Sequence, residues 1–178
     1  LSIRYGDRAV CGPFSFTLEQ GERLALNGKN GSGKSSLLKL ILGEDIKKTG
    51  TISIGSGLII SYVSQDTSHL SGTLSDYASQ CRIDESLFKA ILRKLDFERI
   101  QFTKDMAQFS GGQKKKVLIA KSLCEQAHLY LWDEPLNFID IYSRMQIEQL
   151  ILDFRPTMIF VEHDRAFRET IATKTLEL

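Results

Sequence analysis

Arg23-Leu-Ala-Leu-Asn27-Gly28-Lys-Asn-Gly-Ser-Gly-Lys34-Ser35-Ser-Leu-Leu-Lys-Leu-Ile41-Leu42-Gly43 is the stretch whose reading decides the fold. Arg23–Asn27 is a short apolar run of strand type, and Lys34–Leu42 places Leu37, Leu38, Leu40, Ile41 and Leu42 around much of a helix that Gly43 is positioned to end. Between them, Gly28–Ser35 matches G-x-x-x-x-G-K-[ST] in full. Glycines let the backbone turn so tightly that successive N–H groups point at phosphate oxygens, and the following helix start adds partial positive charge. Lys34 would then reach the β- and γ-phosphates, and Ser35 would offer a hydroxyl to Mg²⁺, a hard cation that takes oxygen ligands. A glycine-rich turn without a ligand is the plainer alternative. The strand before and the helix after the loop weigh against it.

Outward from this unit, the first third reads as sheet: Leu1–Arg4, Phe14–Leu18, Thr51–Ile54 and Ile59–Val63 are strand-like runs between Gly, Asp and Pro turn signals. From Leu74 to Leu123 strand-type runs are lacking, while Ser86–Leu95 and Gly111–Leu123 carry helical spacing, which predicts a small helical subdomain. Strands return at Leu129–Trp132 and Thr157–Val161 around an amphipathic helix at Ile141–Phe154, the alternation of a parallel sheet, and Lys174–Leu178 is the last strand. The expected class is therefore α/β with a mostly parallel sheet.

Leu129-Tyr-Leu-Trp-Asp133-Glu134-Pro135 is an apolar strand ending in two acids, and open parallel sheets bind ligands at the carboxyl ends of their strands. Asp133 could hold Mg²⁺ through water, and Glu134 could take the proton of an attacking water or orient it. Alone, such a pair is more often a solvated turn; the glycine loop upstream reverses the odds.

Phe109-Ser110-Gly111-Gly112-Gln113, followed by a helix, resembles the Leu-Ser-Gly-Gly-Gln signature of ATP-binding cassette (ABC) proteins. Ser110 can cap that helix, and two small residues let N–H groups approach a γ-phosphate closely. The resemblance covers essentially the whole chain. It implies a P-loop NTPase with an ABC-type core (1–66 and 126–178), an N-terminal antiparallel β subdomain and a helical subdomain at about 67–125. It also implies ATP and Mg²⁺ as ligands and ATP hydrolysis as the activity. Nucleotide would be bound by Asn27, Gly28, Lys29, Asn30, Gly31, Ser32, Gly33, Lys34, Ser35 and Ser36, with Tyr5 stacked on adenine. Ser110, Gly111, Gly112 and Gln113 would contact ATP held by an opposing cassette. Ser35, Gln65 and Asp133 would serve the metal, and Glu134, Gln65 and His163 the hydrolysis, while Asp140 sits in a loop coupling two sites. Plainer roles remain beside these: a polar strand end for Gln65, a helix cap for Asp140, a satisfied histidine for His163, a strand aromatic for Tyr5.

Within that family, Trp132-Asp-Glu-Pro-Leu-Asn-Phe-Ile-Asp140, Val161-Glu-His-Asp-Arg-Ala-Phe167 and Ile171-Ala-Thr-Lys174 resemble the ABC-F branch, and more narrowly the second cassette of its ribosome-protecting, antibiotic-resistance members. That resemblance implies a cytoplasmic two-cassette protein acting on the ribosome through regions outside this chain. An ATP-binding subunit of a membrane transporter and a slow ATP-binding switch are the competing expectations. Phe109 for the usual leucine and Leu136 for the commoner threonine are the departures. A lone cassette should bind Mg-ATP and hydrolyse it poorly.

Composition sets the outer bounds. At 178 residues and a formal charge of +1, no global field draws the chain to nucleic acid or membrane. Cys11, Cys81 and Cys124 are odd in number and lack C-x-x-C spacing, which speaks against a disulfide framework or zinc site and suits a reducing cytosol. No apolar run reaches membrane-span length, and the start, Leu1-Ser-Ile-Arg, reads as that of an excised domain. Lys114–Lys116 is expected to lie on a solvated helix face, and His69 and His128 have no partner at metal-ligand spacing.

Overall fold

A run of four consecutive apolar residues is what a strand covered on both faces requires, and Met158–Val161 (β7) is buried at every position. The computed structural model describes residues 1–5 and 8–178, with Tyr5, Arg8 and Ala9 described by their backbone alone. The chain divides into two compact units, 1–61 with 127–133 and 155–178, and 62–126 with 134–154.

The first unit carries two sheets. Ser2–Tyr5 (β1) pairs antiparallel with Arg8–Cys11 (β2) on one side and Lys48–Thr49 (β4) on the other. The five-stranded sheet takes the order β5-β6-β7-β3-β8, where β3 is Arg23–Asn27, β5 Ile60–Val63, β6 Leu129–Asp133 and β8 Lys174–Glu177. The β3/β7, β3/β8 and β6/β7 pairs are parallel. Helix α1, Lys34–Ile41, packs on β6 and β7 through Leu37, Leu38, Leu40 and Ile41. It ends as its glycine predicts: Gly43 has φ 92° and donates to the Leu40 carbonyl, while Glu44 donates to Lys39. That is a Schellman closure.

Arg165–Ile171 (α6) was not expected from periodicity. Its signals are local and short: Asp164 caps it by accepting from the Phe167 N–H at 2.9 Å, and Phe167 meets Phe160 of β7 edge-to-face at 5.8 Å. Two other expectations fail: neither Phe14–Leu18 nor Thr51–Ile54 forms a strand. The alternation of the first is real, since Phe14, Phe16 and Leu18 are half-buried and Ser15 and Thr17 exposed, and both segments line one cavity of 480 Å³. A strand also needs a partner that continues its ladder, and among the described residues the Phe14 backbone exchanges hydrogen bonds with Leu1 without a ladder beyond it. Instead Arg8–Cys11 and Lys48–Thr49, neither read as strands, flank β1.

The second unit is helical: Leu74–Gln80 (α2), Glu85–Lys94 (α3), Gly111–Cys124 (α4) and Ile141–Phe154 (α5), with 3₁₀ turns at Arg99–Thr103 and Met106–Gln108. Thr73 and Asp84 cap α2 and α3. The Ser143 hydroxyl of α5 donates to the Leu95 carbonyl at the end of α3. Among the described residues no helix is long and apolar enough to cross a membrane. The three cysteines carry free thiols.

Candidate functional site

In the first unit β3 runs straight into the glycine loop. Lys34 is only 7% exposed, and its ammonium folds back to donate to the carbonyls of Gly28 (2.8 Å) and Lys29 (2.9 Å). A charged group is thus clasped inside the loop. Gly33 takes φ 93°, and a Cβ there would sit 2.8 Å from Cys11 Sγ, so both conformation and space require glycine. Two observations show that the loop fits phosphate. Among the described residues no side chain caps α1 by a hydrogen bond and no acid stands in its first turn to answer the helix dipole. Among the described residues the Ser32 hydroxyl oxygen is buried without a hydrogen-bond partner, which is costly unless a ligand satisfies it.

Strand register brings the other residues of this unit to the same sheet edge. Leu26, Val161 and Asp133 lie in one row across β3, β7 and β6. With strands about 4.8 Å apart, Asp133 stands roughly 10 Å across the sheet from the end of β3. Asp133 is 2% exposed. Past Val161, Glu162 is buried and its carboxylate accepts from the N–H groups of His163 (2.7 Å) and Asp164 (3.3 Å). Arg168 donates to the carbonyls of Glu162 (2.7 Å) and His163 (2.9 Å). The backbone that presents exposed His163 is therefore held from both sides, by Glu162 and Arg168, in supporting roles that the motif does not assign. Ser35 and Asp133 are hard oxygen donors, as Mg²⁺ requires. No group of three or more His, Cys, Asp or Glu forms a metal cluster among the described residues, so a cation here would depend on phosphate and water for its remaining ligands.

In the second unit Glu134 adopts φ 48°, a left-handed conformation rare outside glycine, and its carboxylate accepts from Asn137 Nδ2 at 2.8 Å. The signature opens α4 with a reciprocal cap: Gln113 N–H donates to Ser110 Oγ (3.2 Å), and Ser110 N–H donates to Gln113 Oε1 (3.0 Å). Phe109 fits because it is buried edge-to-face on Phe97 at 5.6 Å, where the aromatic volume has a partner. A Cβ on Gly112 would run into the Phe138 carbonyl oxygen. Gly112→Ala should therefore displace the 135–140 segment and cost about 1–3 kcal/mol of stability, read by thermal unfolding. Gln65 lies exposed two residues beyond β5. The side chain of Tyr5 lies outside the described residues.

Lys114–Lys116 corrects an expectation. Lys115 and Lys116 are 2% and 7% exposed, not solvated. Lys115 donates to the Ser64 carbonyl at 2.7 Å, and Lys116 pairs with Asp140 at 2.6 Å. His128 also has a role, structural only: its Nδ1 accepts from Ile59 N–H.

Asp140 further accepts from Ser143 N–H and Oγ, both at 2.8 Å. Desolvation pushes its carboxyl up, but the Lys116 ammonium and the Ser143 bonds outweigh this and bring it down to about 2. The unfolded chain's aspartate protonates near pH 4. The stabilisation is therefore complete above about pH 4 and lost as pH falls toward 2. Asp140→Asn should flatten the acid-unfolding curve between those values; because the side chain is 46% exposed, the change is modest.

The family model described as ABC transporter matches residues 11–137. The chain is 33% identical to ATP-binding protein Uup of Caulobacter vibrioides over 98% of its own length and 30% of that protein's. It is 30% identical to ABC transporter F family member 2 of Arabidopsis thaliana over all of its length and 27% of that protein's. The chain thus spans under a third of the length of these curated relatives. Its fold superposes with a TM-score of 0.82 on a solved structure titled as the ATP-binding subunit of an ABC transporter, at 24% identity, covering 100% of this chain and 83% of the other.

Proposed function

Because the chain belongs to the ABC transporter family, as an ABC-type ATPase cassette, we propose that it is the C-terminal cassette of a cytoplasmic two-cassette ABC-F protein whose ATP-driven closure acts on the ribosome. In this reading Lys34 and the N–H groups of residues 28–36 hold the phosphates, and Ser35, Asp133 and Gln65 serve Mg²⁺, which when bound neutralises developing charge. Glu134 orients or deprotonates the attacking water and His163 meets the γ-phosphate. The partner cassette's signature completes this site, as Ser110–Gln113 complete the partner's, so the lone cassette turns over slowly.

The observation that carries the branch assignment is the wording Trp132–Asp140, where Leu136 and Phe138 follow the acidic pair, joined by the likeness to ABC transporter F family member 2. Protection of the ribosome from an antibiotic is the narrower form of the same proposal.

Sedimentation of the full-length protein carrying Glu134→Gln tests it. With ATP the variant should pellet with ribosomes and with ADP it should not. Equal partition in both nucleotides rejects the ribosomal role, and recovery with membranes instead would support a transporter subunit.

A further inference from the structure

Two buried ammonium groups side by side on one helix need an explanation. Desolvating each is costly, and well-packed apolar side chains at such positions are often as stable or more so. Lys115 and Lys116 lie on the second turn of α4, directly after the signature that forms its first. Successive helical side chains diverge by about 100°, so the two reach different segments. Lys115 bonds to Ser64, the residue before Gln65. The turn it grips is already built, since Ser64 Oγ donates to the Asp66 carbonyl and the Asp66 carboxylate accepts from Ser68 N–H. Lys116 bonds to Asp140, the end of the segment that begins at Glu134 and the cap of α5. Lys115 thus holds backbone beside Gln65, and Lys116 holds the side chain that caps α5 at the end of the Glu134–Asp140 segment.

We propose that Lys115 and Lys116 are positioning residues for ATP turnover, locking the Gln65 segment and the Glu134–Asp140 segment to the signature helix so that the three shift as one piece. The inference rests on the ATPase reading above. Its chemistry suits a lysine pair: charge-assisted bonds have directional reach that methionine or leucine of like volume lacks.

The test uses the full-length protein with Lys115→Met, Lys116→Met and Lys116→Arg, following steady-state ATP hydrolysis, thermal unfolding and amide hydrogen exchange. Each methionine variant should fold, lose about tenfold or more in kcat with KM for ATP within about threefold, and exchange faster in residues 64–66 or 135–140 respectively. Lys116→Arg should recover at least about half of the lost kcat, since it keeps the charge. Folded methionine variants with kcat within about twofold of the unsubstituted protein overturn the proposal, as does lowered turnover with unchanged exchange in both segments. If a methionine variant does not fold, Lys116→Arg and Asp140→Asn decide by the same two readouts. An unsubstituted protein that does not hydrolyse ATP would sink the ATPase reading by itself. Exchange then judges the lock separately, and unchanged rates overturn it.

Discussion

Glu134→Gln is expected to lower ATP turnover by about 10²–10³-fold while leaving ATP affinity within a few-fold. The geometry explains the split. Glu134 is set in a left-handed backbone conformation immediately after buried Asp133, and Asn137 holds one of its oxygens at 2.8 Å. Glutamine keeps the size and an oxygen that Asn137 can still donate to, so the segment has no reason to move. It loses the negative charge and the ability to accept a proton, which matter only when water attacks. Phosphate release measures the first effect and retention of a fluorescent ATP analogue the second. A variant that kept more than about a tenth of its turnover would move the role to another group, with exposed His163 the first to substitute.

Lys34→Ala should act at the other end of the cycle, weakening Mg-ATP binding by about 100-fold, since a charge-assisted contact to phosphate is worth about 1.5–3 kcal/mol and the clasp around it is lost as well. The ammonium holds the Gly28 and Lys29 carbonyls at 2.8 and 2.9 Å. Without it these acceptors turn to water, the loop opens, and stability falls by about 1 kcal/mol. Titration with the nucleotide analogue and a thermal melt read the two consequences. Unchanged affinity in a folded Lys34→Ala protein would remove the basis for placing phosphate in this loop. The contrast between the two variants, one binding without turning over and one failing to bind, separates catalysis from capture.

Much of this molecule is legible locally. The strand, glycine loop and helix from Arg23 to Gly43 follow from short-range rules, because each signal acts within one or two turns of chain: an apolar run, a left-handed glycine at 33, a left-handed glycine at 43. The helices at Gly111–Cys124 and Ile141–Phe154 are legible for the same reason. Phe14–Leu18 was misread because alternation describes one chain, whereas a strand is a property of two. Helix α6 is too short for periodicity to register, and its evidence is the Asp164 cap and one aromatic contact.

The residue types at the candidate site were readable from motifs, and their supports were not. Asn137 and Glu162 lie inside the family motifs and Arg168 just beyond one, yet spacing does not reveal that they support Glu134 and His163. Lys115 and Lys116 show why. Their partners stand 51 residues earlier and 24 residues later, so a reading by helical periodicity sees three lysines and assigns them to water. By itself the sequence determined which groups can cradle phosphate, hold a hard cation and take a proton, because those capacities are chemical properties of residue types at short spacing. Only the tertiary structure decided that Leu26, Val161 and Asp133 share one row, that Ser32 keeps a hydroxyl unsatisfied among the described residues, and that the ammonium groups of Lys115 and Lys116 are buried. Burial and register are set by long-range contacts, whose cost and gain exist only once distant segments have met.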